Sequence, residues 1–545
     1  MLNSIGLHRA RRVLVLLPTL ALLAACGGGS SGGTPAQASA SVTPGALVFN
    51  PPLRAASLSA AAFQANLDAT ASGQSLHLLA AGPSSPTSST PAPIKCGIDI
   101  YKIQFNTVGG ANEPTQSTGA LMVPTGPGCS GPRPIVLYAH GTTTSRSYDL
   151  ANLADTNNPA NSESALIAAV YASNGFIVVA PNYAGYDQST LGYHPYLNAA
   201  QQSAEMQHAL QAARSALTSL PATGDLGALF VSGYSQGGHV AMATVRALEA
   251  AGTPVTAVAA MSGPYAMGAF GDIIFSGTVD IGATLFVPLL TTSYQKAYGN
   301  LYNTPGDLYA APYASGIETL LPGSLSQTDL FTQGKLPQSA LFNNAPSGPY
   351  AALPQNPAAA SNGNFGFGTP YLVLDSARAT YLADAAAHPD GALAQTTGLP
   401  ATTTNPIRQA LVRNDLRLPA VAGAPGWLPK APMLLCAGGN DPVVFSTNTV
   451  IMQGYFAAIQ AALNPSPAPL RHVLNIDLNA SGAGKLPMAA DSDPVFGALQ
   501  QAFTGSYNQQ AGSTAATQQA ALIGYHGSVA PFCTSASLSF FAQPR

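Results

Sequence analysis

Six short stretches of the chain are apolar almost without interruption: IVLYAHG at 135–141, FIVVAPNY at 176–183, ALFVSGYS at 228–235, VTAVAAMSG at 255–263, PMLLCAGG at 432–439 and HVLNIDLN at 472–479. A strand covered by helices on both faces has this unbroken pattern, whereas a strand with one wet face alternates. Between most of them, apolar positions recur at helical spacing, as in AAQQSAEMQHALQAARSAL (199–217) and HVAMATVRALEAAG (239–252). Upstream, IDIYKIQFNTVGGANEPTQSTGALMVP has two β-rich runs around a Gly/Asn/Pro turn, the mark of a hairpin. Strands alternating with helices predict an α/β fold, a mostly parallel doubly wound sheet with an N-terminal hairpin. The stretch 266–428 is too long for one crossover and is rich in Gly, Pro and Tyr, which predicts an inserted cap or lid domain. The expected layout is a core in two parts, 95–265 and 429–545, around that cap, preceded by a poorly assigned segment over 26–94.

The first 25 residues read differently. Arg9, Arg11 and Arg12 precede VLVLLPTLALLAAC, an apolar run too short to span a bilayer, so residues 1–25 are expected to be a secretory signal. Leu23-Ala24-Ala25-Cys26 resembles the lipobox of bacterial lipoproteins, in which the cysteine is acylated after cleavage. That resemblance implies lipidation at Cys26. Glycine rather than aspartate at 27 implies an outer-membrane address in a Gram-negative cell. GGGSSGGTPAQASASVTP then makes a flexible tether, and GPSSPTSSTPAP at 82–93 a second low-complexity patch. Charged residues are only 8% of the chain and the net charge is -3, which leaves no basic surface for nucleic acid. Beyond the leader no uninterrupted apolar run is long enough to span a membrane, so membrane contact is expected only through the anchor. Apart from Cys26, four cysteines remain, Cys96, Cys129, Cys436 and Cys533, an even number for an oxidising compartment, so two disulfides are expected.

The chemistry turns on GYSQGGHVAM, where Ser235 stands between Gly233 and Gly237. The G-x-S-x-G pattern alone is weak, since GGGSSGG matches it at Ser30 and again at Ser31. Only Ser235 has a predicted strand running in and a predicted helix running out, the context of a nucleophile elbow. A serine needs a histidine base held by a carboxylate, and where the serine sits on such an elbow of an α/β sheet the chain order is Ser, acid, His. His388, His472 and His526 follow Ser235. The first lies in the expected cap and the second leads into a strand, so His526, read as a loop residue before a terminal helix, is the candidate base. Asp441 follows a strand in the turn-forming cluster GGNDP and is the candidate acid, with Asp477 and then Asp415 as rivals; as an alternative role, Asp441 could cap the next helix. For the oxyanion hole, the amide of Gln236 pairs with one from His140-Gly141-Thr142-Thr143, Thr142 being preferred and Thr143 next. His140 is read as orienting that loop and His239 as a packed helix residue. Tyr183, Tyr186 and His194 are read either as pocket walls or as loop packing.

AHG, GFIVVAPNYAGY, GYSQGG, WLPKAP before GGNDPVV, and the late YHG together resemble the α/β-hydrolase superfamily, and within it the secretory lipases and esterases that carry a large cap. The resemblance covers roughly 96–545 without the cap. It implies Ser235, Asp441 and His526 as a triad, with no metal or organic cofactor. It departs at Asn182, where such proteins often carry aspartate. If Asp441 and His526 are bonded, Cys436 and Cys533 lie in neighbouring structure, which predicts a Cys436–Cys533 disulfide beside Cys96–Cys129 in the hairpin region; the alternative is a buried free thiol at Cys436. The expected activity is hydrolysis of small-molecule or lipid carboxylic esters. A serine peptidase of the same superfamily and a non-catalytic surface lipoprotein are the rivals.

Overall fold

The strands in chain order are β1 (Leu53–Leu58), β2 (Gly97–Val108), β3 (Pro114–Thr125), β4 (Gly131–Ala139), β5 (Ile177–Pro181), β6 (Thr223–Tyr234), β7 (Ala257–Met261), the two-residue pair β8 (Phe342–Asn343) and β9 (Phe367–Gly368), β10 (Met433–Ala437) and β11 (Arg471–Asn475). Nine of them make one sheet in the order β1-β2-β3-β5-β4-β6-β7-β10-β11, and β8 and β9 pair separately. These coordinates come from a computed structural model that describes residues 43–82, 90–221, 223–355, 365–390, 403–418, 426–465, 469–480, 486 and 489–543. The leader, Cys26, the tether up to residue 42 and most of the 82–93 patch lie outside the described residues.

The expected hairpin is β2 and β3, paired in antiparallel register from Gly97 opposite Thr125 to Val108 opposite Pro114. From β5 to β11 every neighbouring pair is parallel. β5, β7 and β10 are buried at every position. Helices account for this: Ala199–Leu217 packs on the helix Gln236–Ala250, and Ala515–Phe541 packs against β6, β7 and β10. Residues left unassigned by the sequence pattern also join the sheet. β1 pairs with β2, and the helices Ala60–Asp68 and Ala71–Ala81 follow it, burying Phe63 and Leu67 in the main core.

Between β7 and β10 the chain leaves the sheet and builds helices of its own, among them Met267–Ser276, Ala283–Tyr298, Asp375–Ala387 and Pro406–Arg413. They enclose a separate apolar cluster that includes Leu285, Leu289, Tyr294, Leu341, Tyr381 and Leu411. Arg408, with its side chain 4% exposed, ties three of these helices together through Asp272 at 2.7 Å and Asp384 at 2.8 Å. Pairing one arginine with two carboxylates satisfies most of its donors and offsets the cost of burying it.

Cys96 is joined to Cys129 and Cys436 to Cys533. The first pair ties the start of β2 to the β3–β4 connection. The second ties β10 to the helix Ala515–Phe541. No described helix is long and apolar enough to cross a membrane.

Candidate active site

β4, β6, β7 and β10 run parallel, so their C-terminal ends deliver four loops to one edge of the sheet, where ligands of open α/β sheets bind. The loop from β6 is a single residue. Ser235 has φ 61° and ψ -125°, an uncommon backbone state for a residue with a Cβ, and is the N-cap of the helix Gln236–Ala250. Two glycines make this turn possible. A Cβ on Gly237 would stand 1.9 Å from the Ala139 carbonyl oxygen, and one on Gly233 would stand 2.1 Å from that of Gly237. Ser235 N–H donates to the Met261 carbonyl at 3.0 Å, fixing the turn to β7. The side chain is left at the mouth of a cavity, with the free amides of a helix N-terminus beside it.

Asp441 leaves β10 after a turn in which its N–H meets the Gly438 carbonyl at 3.1 Å. Its side chain is fully buried. Oδ1 accepts from the amides of Val443 and Val444 at 2.9 and 3.1 Å, while Oδ2 accepts from His526 Nδ1 at 2.6 Å. The cap of the helix Thr447–Leu463 is Ser446, so Asp441 is not that helix's N-cap. A carboxylate bonded to Nδ1 fixes the ring proton there and leaves Nε2 with a lone pair. Nε2 is buried and has no hydrogen-bond partner among the described residues. Tyr234, next to Ser235, donates its hydroxyl to the His526 backbone carbonyl at 2.5 Å, and the two rings lie 4.9 Å apart. The base candidate is therefore clamped from the strand that delivers the serine and from the loop that delivers the aspartate.

His526 is not a loop residue, as the sequence reading has it: it lies inside the helix Ala515–Phe541. The glycine that follows it, Gly527, points to irregular backbone. Burial of Tyr525, Val529, Cys533, Ala536 and Phe540, at steps of three and four, carries the helix through it. The rival acids are engaged elsewhere. Asp477 accepts from the Tyr525 hydroxyl at 2.5 Å and Asn440 Nδ2 at 3.0 Å, and so braces both sides of the Asp441–His526 pair. Asp415 pairs with Arg417 at 2.7 Å and accepts from the Gly268 amide. Of the other histidines, His472 Nε2 meets Asp491 at 2.7 Å and His388 ends the helix Asp375–Ala387. His239 is buried against the Asn414 carbonyl, and burial lowers its pKa to about 4.

The loop after β4 is held from several sides. His140 contacts the Gly141 and Asn182 carbonyls and stacks on Tyr183 at 4.0 Å. Burial lowers its pKa, against the opposing pull of the Glu163 charge and the two carbonyls. Glu163 accepts from the Gly141 amide at 3.0 Å and from the hydroxyls of Tyr138 and Tyr148, an anchor that sequence reasoning missed. Thr142 lines the cavity together with Ser235 and Gln236, and its hydroxyl meets Tyr196 at 2.9 Å. Tyr183, Tyr186 and His194 are buried loop packing and not cavity walls. His194 has a task nonetheless. Its Nδ1 donates to the Ala184 carbonyl, and its Nε2 accepts from the Gln236 side chain at 2.7 Å. Burial lowers its pKa to about 3, so it keeps that accepting nitrogen. Asn182, the departure from the family pattern, accepts from the Leu150 amide and donates to Thr118, a wholly internal role.

Met267, Phe270, Ile274, Phe275, Phe286 and Leu290, all from the segment between β7 and β10, form most of the cavity's apolar wall. No group of three or more His, Cys, Asp or Glu with the spacing of a metal site occurs among the described residues.

No family model matches the chain, and a search of curated proteins found no match. Solved structures do match. The rice cell wall degrading esterase LipA from Xanthomonas oryzae is 26% identical with a TM-score of 0.58, over 79% of this chain and 91% of that one. A ligand-bound form of the same esterase is 25% identical with a TM-score of 0.58, over 86% and 98%. A putative hydrolase from Legionella pneumophila, at 18% identity and a TM-score of 0.55, covers 86% of this chain and 100% of that one, a likeness of fold.

Proposed function

We propose that this chain, which has the α/β-hydrolase fold, is an extracytoplasmic serine esterase that cleaves neutral carboxylic esters through Ser235, His526 and Asp441. Ser235 Oγ attacks the ester carbonyl carbon while His526 Nε2 takes the hydroxyl proton. The tetrahedral oxyanion is received by the amides of Gln236 and Thr142, in a water-poor site where such donors act most strongly. His526 then returns the proton to the departing alcohol, leaving an acyl group on Ser235. Water activated by the same nitrogen releases the acid. Asp441 holds the tautomer and stabilises the imidazolium as it forms.

One observation carries this reading. A serine in a strained strand-to-helix turn is accompanied by a histidine whose Nδ1 is bonded to a buried carboxylate at 2.6 Å and whose Nε2 has no partner among the described residues. The likeness to an esterase at 26% identity supports the ester as substrate, and the apolar cavity wall supports an uncharged one. The basic, apolar leader and the two disulfides support export, LAAC at 23–26 supports a lipid anchor on Cys26, and Gly27 supports the outer membrane as its address. Treatment of the secreted protein with a fluorophosphonate probe, followed by peptide mapping, tests the assignment. The adduct is expected on Ser235 and nowhere else. A folded protein that takes no label, or takes it at another residue, would overturn it, and cleavage of peptide amides at rates matching esters would move the reading to a peptidase.

A further inference from the structure

Of the polar side chains that line the cavity beside Ser235, Thr142 and Tyr196 bond one another and Thr291 bonds Tyr309, whereas one carboxyl group, which ester hydrolysis does not use, has an oxygen left over. Asp280, between the helices Met267–Ser276 and Ala283–Tyr298, lines the cavity, is 4% exposed, and has a buried Oδ1 with no hydrogen-bond partner among the described residues. No cation among the described residues is paired with it. The buried arginines of the same segment are taken up elsewhere, Arg378 by the Phe275 carbonyl, Arg408 by Asp272 and Asp384, and Arg417 by Asp390 and Asp415. The loop is also laced to the acid loop, since the Ile281 amide donates to the Pro442 carbonyl at 2.9 Å. An unsatisfied polar atom in an apolar chamber costs stability unless something that enters the chamber completes it.

Resting on the esterase reading above, we propose that Asp280 is a specificity-determining residue of this cavity, selecting neutral esters whose cavity-bound chain carries a hydroxyl group. Burial, with the nearby charge of Asp441 as a smaller contribution, raises the Asp280 carboxyl to about 8. At neutral pH it therefore offers one O–H donor and one carbonyl acceptor. A hydroxyl matches both at once, accepting from the acid and donating to its oxygen. An alkyl chain leaves the buried Oδ1 unpaired, and a site built to hydrogen-bond a hydroxyl rejects the analogue that lacks it more strongly than an apolar pocket rejects a missing methylene. An ammonium group would require Asp280 to ionise beside Asp441, against the burial that keeps it neutral.

The test compares kcat/KM within two pairs of esters: p-nitrophenyl butyrate with p-nitrophenyl 3-hydroxybutyrate, and propyl with 3-hydroxypropyl butyrate. The wild type is expected to favour the hydroxylated member of one pair by about tenfold or more, and which pair responds tells whether the acyl or the alcohol arm lies in the cavity. Asp280→Leu should abolish the preference, and Asp280→Asn, which keeps a neutral donor and acceptor, should retain most of it. Asp280→Ala reads the same ratio should the leucine variant fail to fold. No preference in the wild type, a preference unmoved by leucine or alanine, or its complete loss in the asparagine variant would overturn the proposal. Because each readout is a ratio within one protein, general damage to the active site cancels. Absence of any Ser235-dependent ester hydrolysis would instead bring down the esterase reading itself, and this inference with it.

Discussion

Replacing Asp441 with asparagine should cost about 10⁴ in kcat while leaving the fold intact, and the hydrogen bonds around the carboxylate say why. Oδ1 is held by two backbone donors, the amides of Val443 and Val444, and Oδ2 faces His526 Nδ1. An asparagine amide can sit in the same space in two ways. Turning its NH2 toward the two backbone amides would set donor against donor and lose both bonds, at about 1–3 kcal/mol for each group left unpaired. The amide oxygen therefore stays where Oδ1 is, and the NH2 confronts His526. Nδ1 must then accept, the ring proton moves to Nε2, and the nitrogen proposed to face Ser235 can no longer take a proton.

The assay is kcat and KM on p-nitrophenyl butyrate, with a melting curve beside it. The expected result is a loss in kcat with little change in KM or in melting temperature, because both backbone bonds survive the substitution. Asp477→Asn serves as the control. Asp477 touches Tyr525 and Asn440 but not His526, so its loss should be at least tenfold milder than that of Asp441→Asn, an estimate from its acting through neighbours alone. A decline of less than tenfold for Asp441→Asn, or a greater one for Asp477→Asn, would refute the tautomer argument.

Ser235→Ala should fold and be secreted normally yet lose at least about 10³-fold in kcat/KM; retention of activity within tenfold would remove Ser235 as nucleophile. Cys436 and Cys533 are 97 residues apart in sequence, against 33 for Cys96 and Cys129, so by loop entropy the two bridges contribute about 4.7 and about 3.7 kcal/mol. Urea unfolding of the paired serine variants should therefore show the larger loss for the 436/533 pair, and the reverse order would contradict the loop argument. The Asp280 carboxyl, raised to about 8 in the folded state from an ordinary 3.8, binds a proton that the unfolded chain has released throughout that window, so wild-type stability falls as pH rises from 4 to 8. Asp280→Asn should accordingly be more stable by up to about 4 kcal/mol at pH 7 and by almost nothing at pH 4; an equal difference at the two pH values would show that the buried carboxyl is not the cause.

The parallel strands were legible because a strand buried on both faces has no polar positions to obscure it, as in IVVAP of β5 and MLLCA of β10. β1 was not legible, for the opposite reason. LRAASL lies at the edge of the sheet, is exposed at four of its six positions, and so carries neither an apolar run nor a clean alternation. β8 and β9 are two residues each, too short for any period to register. Among the site residues, the serine and its glycines could be read from the motif, and the acid from its position after a strand, with the family resemblance supplying the order of the triad. Glu163, Tyr196 and Asp280 gave no such signal. Each acts across a distance in sequence that no local pattern spans: Glu163 reaches Gly141, Tyr196 reaches Thr142, and Asp280 enters the cavity from the inserted segment.

The helical setting of His526 changes what the second disulfide does. On a loose late loop, the histidine would depend on Cys533 to hold it near Asp441. In the helix Ala515–Phe541 its backbone is already set by the turns on either side and by burial of Tyr525 and Val529 against the core. Tyr234 fixes the same residue through its carbonyl, and Asp441 fixes the ring. The Cys436–Cys533 bond then acts mainly on the unfolded chain, by closing a long loop, and little on the geometry of the base. Opening it should lower the unfolding free energy while kcat stays within about threefold, because the contacts that orient His526 do not pass through the sulfurs. A disulfide-free variant that remains folded at the assay temperature but loses a hundredfold in kcat would show instead that the covalent tie, and not the helix, aligns the histidine.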